Sequence, residues 1–278
     1  MKKAVVLVLG AVLAAGLSLS VPEALAQPMP ARDTAYVLPP GSWRAGLFAP
    51  LEIGVGHGVE VSTSVIPLFL LAPNAGVRVE LGRLGPATIA GEYGLALPTP
   101  AMRLLGGYLF PSFANGLGQV GWSLVPSLGV AASAGERGVF TGRLDTAIGI
   151  PLGDTSVRSL DTWAPVELIF APELNGYRVH LGGAYDYALL DWLRARGGVH
   201  GYMIGASPYP PRSPFYFAAE LSLEVRLGSY VRLSLGGIYY NSDQRATTLE
   251  TGADGRLHRV SERSNDVYPT FDLIVGSK

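Results

Sequence analysis

Two of the four histidines in the chain, His180 and His200, fall in segments where every second residue is polar. With the intervening turn placed at Leu190, the two imidazoles face each other across a hairpin, near Arg178 and Tyr202. Facing imidazoles could bind a transition metal, or one could act as a base. The spacing places no third ligand, so they are read as a hydrogen-bonded pair, with no metal and no cofactor expected. The same turn sets Asp186 opposite Arg194, and a turn centred on Gly228 sets Glu224 opposite Arg232. Opposite charges facing across strands support register.

Other charges occupy the same kind of position. Arg44, Arg78, Arg143, Arg178, Arg194, Arg196, Arg226 and Arg232 are interspersed with Glu60, Glu80, Glu92, Asp145, Glu167, Asp186, Glu220, Glu224 and Asp272. A strongly selective pore more often carries a ring of one sign. This balance predicts salt-bridge networks that partly fill an interior, with some of these side chains lining a solute path. Ser62, Ser64, Ser123 and Ser127 also alternate, but no Gly-x-Ser-x-Gly elbow accompanies them, and no catalytic residue is assigned.

Strands must position these charges. In Phe215–Leu227 the odd positions are Phe215, Phe217, Ala219, Leu221, Leu223 and Val225, whereas the even ones include Glu220, Glu224 and Arg226. Side chains on a strand point alternately to opposite faces, so one face is apolar and the other charged. Period two between turn signals predicts strands at 42–51, 57–66, 75–83, 86–97, 101–110, 118–131, 138–152, 163–171, 176–189, 192–205, 214–227, 230–241 and 266–276. Tight turns are expected near Gly54–Gly58, Leu84–Pro86, Leu189–Asp191 and Leu227–Ser229. Longer connections are expected at Leu95–Pro100, Ser207–Ser213 and Asn241–Asn265. Barrels of the outer membrane keep short turns in the periplasm and long loops outside, and they use even strand numbers. About 12 strands, within 12–14, are therefore expected.

Met1–Ala26 has the form of a cleaved export signal, with Lys2 and Lys3, an apolar stretch and a small-residue site at Ala24-Leu25-Ala26. An N-terminal segment 27–40 then precedes a barrel over 41–278. The chain has no cysteine, which excludes a disulfide framework and a lipoprotein anchor. A formal net charge of −1 gives no electrostatic reason to expect nucleic acid. The most apolar stretch after the signal, Val65–Ala72, is far shorter than the about 20 residues of a membrane helix. A soluble sandwich also alternates, but this polar face is rich in Gly, Ala and Ser beside its charges. The apolar face carries Tyr177, Tyr185, Tyr187, Phe215, Phe217 and Tyr239 near segment ends, as a lipid-facing wall does. The fold expected is an all-β transmembrane antiparallel up-and-down barrel.

The stretch 41–55 (GSWRAGLFAPLEIGV), with Val59-Glu60-Val61-Ser62-Thr63 and Ala72-Pro73-Asn74, resembles the start of uncharacterised Gram-negative outer-membrane β-barrel proteins of porin-like form. Asp191-Trp192-Leu193-Arg194 resembles a recurrent periplasmic turn of that class. The resemblance covers nearly the whole mature chain. It departs at the C-terminus, where Gly276-Ser277-Lys278 stands in place of a final aromatic residue. It implies outer-membrane lipid, the barrel-insertion machinery and periplasmic chaperones as partners. The function expected is a passive channel for small polar solutes, with a structural or surface-interaction barrel as the alternative. A lipid-acting enzyme on the same scaffold is the lesser alternative.

Overall fold

The computed structural model describes residues 29–104, 120–155, 163–205, 213–243, 248–252, 255, 257–260 and 263–277. The expected export segment 1–26 lies outside them. The strands are β1 (Trp43–Gly46), β2 (Leu51–Gly56), β3 (Val59–Thr63), β4 (Asn74–Leu84), β5 (Ala87–Ala96), β6 (Ser123–Ala134), β7 (Gly138–Ile148), β8 (Ile150–Pro151), β9 (Tyr177–Leu190), β10 (Leu193–Ile204), β11 (Phe215–Arg226), β12 (Val231–Asp243), β13 (Thr248–Thr251), β14 (Leu257–Val260) and β15 (Arg263–Gly276). Among the described residues three helices interrupt them: α1 (Val65–Phe69), α2 (Thr99–Leu104) and α3 (Ala164–Asn175).

Twelve strands close into an antiparallel barrel. The ladder runs from β6 through β5 down to β1, from β1 to β15, and back through β12, β11, β10, β9 and β7 to β6. The two-residue β8 only extends the end of β6, and β13 pairs with β14 in a separate hairpin. Following the chain up and down, the connections 57–58, 85–86, 135–137, 191–192 and 227–230 all fall at one rim. The longer connections and all three helices fall at the other, so the first rim is the periplasmic one. The turn after β2 shows why such connections stay short. His57 and Gly58 both adopt positive φ (53° and 71°), matching the twist of a tight hairpin.

Alternation sets the two faces of the wall. Leu181, Leu221 and Val267 are 65%, 68% and 71% exposed on the outside, whereas Glu60, Asp186 and Arg194 are each 2% exposed within. Water does not tolerate an apolar belt of that extent, and hydrocarbon does not tolerate the charges; the wall faces lipid and the bore holds the ions.

Three expected strands take other forms, and these differences restore an even strand count. The segment 42–51 is a hairpin, because chain reversal at 47–50 separates β1 from β2. The segment 101–110 begins within α2, and its remainder, 105–110, lies outside the described residues. The segment 163–171 is the first part of α3. Over so few residues a period of two and a period of 3.6 select similar positions. Here Ala164, Leu168 and Ala171 pack to one side of α3 and Phe170 and Leu174 to the other, so the helix is apolar on two faces. Pro165 suits its first turn, and Gly176, at φ 90°, ends it.

One sector of the wall is incomplete. β1, β2 and β3 have four, six and five residues, against about 9–11 for a spanning strand. Strand pairing of β15 with β1 ends at Gly46 and Ile274. Leu47 N–H still donates to the Leu273 carbonyl at 3.1 Å, so odd residues of β15 aim their backbone groups toward β1. Pro269 shares that orientation and has no N–H to leave unpaired. Above β3 the wall continues as the apolar helix α1, with Leu68, Phe69 and the following Leu71 exposed.

Candidate functional site

The bore is occupied from both ends. Residues 29–38 enter at the periplasmic rim and lie across the lower half, held mainly by side chains of the wall rather than by a strand ladder. Arg194 donates to the Met29 carbonyl through Nε (2.9 Å) and Nη2 (2.6 Å). Arg196 Nη1 donates to the Arg32 carbonyl at 3.0 Å, and Arg143 Nη2 to that of Asp33 at 3.3 Å. Ser133 Oγ accepts from Ala35 N–H, and Glu60 Oε2 from Leu38 N–H. Ala35 packs without exposure between Ala90 and Ala131, where only small residues leave room for a chain inside the barrel. Arg32 pairs with Glu224, and Asp33 lies 3.7 Å from Arg196. Burial alone would raise the Asp33 carboxyl, but Arg196, Arg32, Arg143 and Arg44 outweigh it and hold the group well below the usual carboxylate range.

Around this segment the wall charges form the expected networks. Arg78 joins Glu60 (2.7 Å) and Glu92 (3.0 Å), and Arg143 reaches Glu92 at 3.1 Å. Arg44 Nε donates to Glu52 at 2.7 Å. Arg232 pairs with Glu224 at 3.2 Å, and Arg196 joins Asp186 (3.3 Å) and Glu220 (2.7 Å). Asp272 accepts from the backbone of Phe48 and Ala49, which ties the chain reversal after β1 to β15. Below the segment, a cavity of about 880 Å³ opens at the periplasmic mouth, lined among others by Tyr36, Arg44, Arg226, Tyr230 and Arg232.

Two expected registers shift by two residues. The turn lies at 191–192 rather than at Leu190, and with the bulge at Leu193/Arg194 the register settles so that Arg196, not Arg194, faces Asp186, and Tyr202, not His200, faces His180. Likewise Arg226 faces Arg232, and Glu224 faces Ser234, because the turn centres on Ser229 rather than Gly228, with Leu227 N–H donating to the Val231 carbonyl at 2.9 Å. Two of the three expected pairs survive diagonally. Glu224 still reaches Arg232, and His180 Nε2 lies 3.0 Å from His200 Nδ1.

The histidines belong to a chain of polar groups along the inner wall. Asp145 Oδ2 lies 2.6 Å from His180 Nδ1, and His200 Nε2 lies 3.6 Å from Glu220 Oε1. The Tyr202 ring stacks on His180, with centroids 4.6 Å apart. Arg178 lies 3.6 Å from Asp145 and donates through Nη1 to the Leu168 carbonyl of α3 at 3.0 Å.

Helix α3 fills the upper half. One face packs on Ile204, Tyr216, Ala218 and Tyr240 of the inner wall; the other meets Met102 of α2, Ala72 and Val120. Thr99 donates to Glu173 at 2.8 Å, and burial pushes that carboxyl up.

Three expected lumen residues take other places than the middle of the inner wall. Glu80 is exposed near the periplasmic rim, Arg226 lines the mouth cavity, and Glu167 lies buried on α3 rather than on a strand. Arg32, Asp33 and Glu52 were not anticipated. The alternation Leu51, Ile53, Val55 against Glu52 and Gly54 carried the signal for Glu52. Nothing in the pattern of 27–40 placed Arg32 and Asp33 inside a barrel.

A closed barrel with hydrocarbon outside, ionised groups inside and short turns at one rim defines an outer-membrane β-barrel protein of the Gram-negative envelope. No protein-family model matches the chain, and no curated protein sequence does. Among solved structures it is similar to the outer-membrane expressed OmpT of Vibrio cholerae, at 10% identity and a TM-score of 0.39, over 82% of this chain and 63% of that one. It is also similar to a FadL homologue of Pseudomonas aeruginosa, at 11% identity and a TM-score of 0.38, over 85% and 67% of the two chains. The chain thus spans under two thirds of the length of the OmpT chain.

Proposed function

We propose that this protein is a permeation barrel for small polar solutes, closed in this state by its own N-terminal segment below and α3 above. The observation that carries the reading is how residues 29–38 are attached. Wall-forming strands are joined by continuous ladders, whereas this segment is held chiefly by single contacts from side chains, leaving an element that can withdraw without unzipping the wall. Beneath it the mouth cavity is already open to the periplasm. Outer-membrane lipid surrounds the barrel, and the insertion machinery and periplasmic chaperones complete the set of partners proposed.

The cysteine-free chain allows a direct test. Ala35→Cys with Ala131→Cys places two thiols in the small-residue contact between segment and wall. In planar bilayers the oxidised double variant should stay shut and the reduced form should show conductance steps. Equal currents before and after reduction, or none from either form or the wild type, would refute the reading.

The apolar packing of α3 on both sides favours a second reading, a surface-interaction barrel that works through its outer loops. Deleting residues 245–262 should then abolish surface binding while leaving the barrel inserted. The lipid-acting enzyme is the least favoured reading, tested by fatty-acid release and its loss in His180→Ala.

A further inference from the structure

We propose that the periplasmic mouth of the bore is a binding site for a phosphate-bearing solute, held between Arg226 and Arg232. Over the whole chain acids and bases nearly cancel, leaving a formal net charge of −1. The mouth cavity departs from that balance. Four guanidinium groups line it, those of Arg44, Arg83, Arg226 and Arg232, against the single carboxylate of Glu136.

Arg226 and Arg232 are direct partners across β11 and β12. Like charges opposed on neighbouring strands destabilise a sheet, so such a pair calls for an anion beside it. The fold supplies only part of one. Glu224 lies 3.2 Å from Arg232, but it also pairs with Arg32 of the N-terminal segment. Asp191 and Glu224 act on Arg226 from beyond contact distance, and among the described residues its side chain forms no ion pair or hydrogen bond. Ser229, in the turn joining the two strands, brings a hydroxyl to the same cavity. From the other side of β15, Arg44 adds a third guanidinium while its Nε donates to Glu52 at 2.7 Å.

On the far wall, a bulge between Glu80 and Gly82 changes the parity of β4, with Gly82 at φ 136°. Arg83 therefore pairs with Thr88 on the inner face, where strict alternation from Arg78 and Glu80 would turn it toward lipid. The bulge adds a cation to a mouth that already has an excess of them.

The geometry selects the ligand. A guanidinium is a planar fork of donors matched to carboxylate and phosphate oxygens. Residues directly opposed in a sheet stand about 5 Å apart at Cβ, so the two forks converge on one anion. A carboxylate has two oxygens, which one fork occupies. A phosphate group offers a third oxygen to the second fork and more negative charge to the second cation. Val37, Leu38, Val139 and Ile274 line other parts of the cavity, and its volume of about 880 Å³ leaves room for a small organic body. β11 and β12 stand between the site and the bilayer, so the ligand arrives in solution from the periplasm rather than as a lipid headgroup. The site is a property of the mouth and stands whether or not the bore conducts.

The test is calorimetric binding of inorganic phosphate to the intact barrel in nonionic detergent at low salt, with dihexanoyl phosphatidylglycerol as the lipid probe. The wild type should bind phosphate saturably and more tightly than the lipid probe. Arg226→Met should weaken phosphate binding at least about tenfold, as loss of a charge-assisted contact does. Arg137→Met removes a charge from the same rim outside the cavity and should bind phosphate as the wild type does. Without phosphate, Arg226→Met should resist heat at least as well as the wild type, because it relieves a like-charge pair and breaks no contact. Absence of saturable phosphate binding, equal affinities in the two variants, tighter binding of the lipid probe, or lower heat resistance of phosphate-free Arg226→Met would each overturn the proposal.

Discussion

Releasing the lower plug is the perturbation whose size the contacts allow to be worked out. Arg194 is 2% exposed and donates two hydrogen bonds to the Met29 carbonyl; Arg32 pairs with Glu224 at 2.5 Å. A charge-assisted contact contributes roughly 1.5–3 kcal/mol. Water re-enters the lower bore once the segment leaves, so the low end applies to each residue. Arg32→Met with Arg194→Met keeps the aliphatic stems and should weaken the plug by about 3 kcal/mol, or about two orders of magnitude in the open-to-closed ratio. Both guanidinium groups act on Glu224, and coupling of about 0.5 kcal/mol or more leaves that estimate standing to within a factor of a few. Open probability in planar bilayers is the assay, with Arg83→Met, an exposed residue of the mouth cavity, as the control. If the double variant inserts, keeps its heat-modifiable mobility and opens no more often than the wild type, the segment is not the closure.

Asp33→Asn should open at neutral pH, since it loses attraction to four guanidinium groups. A carboxyl held below its usual range stabilises the plug above that range and ceases to as it gains a proton. The wild type should therefore open on strong acidification, and the variant should lack that step in a conductance–pH series. A Cβ at Gly205 would stand 1.6 Å from the Asn175 carbonyl oxygen, so Gly205→Ala should push back the C-terminus of α3. The expected cost is about 1–3 kcal/mol, read as lost hydrogen-exchange protection in 164–175 with the strands unaffected. Pro269→Val adds an N–H to the free edge of β15. Unfolding in urea should shift by under about 0.5 kcal/mol, while cross-linked dimers increase; a purely monomeric variant would contradict the open edge.

Much of the barrel was legible because a strand writes its two faces directly into sequence. From Tyr177 to Leu190 and from Phe215 to Arg226, alternation separated lipid from lumen residue by residue, and the structure follows it. Register was legible only to within two residues. The turn at 191–192, together with the bulge at Leu193/Arg194, preserves the alternation while sliding His200 from opposite His180 to diagonal contact. α3 was hidden for a related reason: a short helix buried on two sides shows the density of apolar residues found in a strand.

By itself, the order of residues determined that this chain makes a lipid-facing wall with balanced charge inside, since period-two patterning is local and each strand carries its own copy. Only the tertiary structure decided that residues 29–38 and α3 lie within the bore and that the two histidines stand between them. Arg194 and Arg196 hold residues 29–38 largely through backbone carbonyls, and a carbonyl is the same in every residue. Such contacts leave no trace in side-chain pattern; they exist only once the wall has closed around the segment.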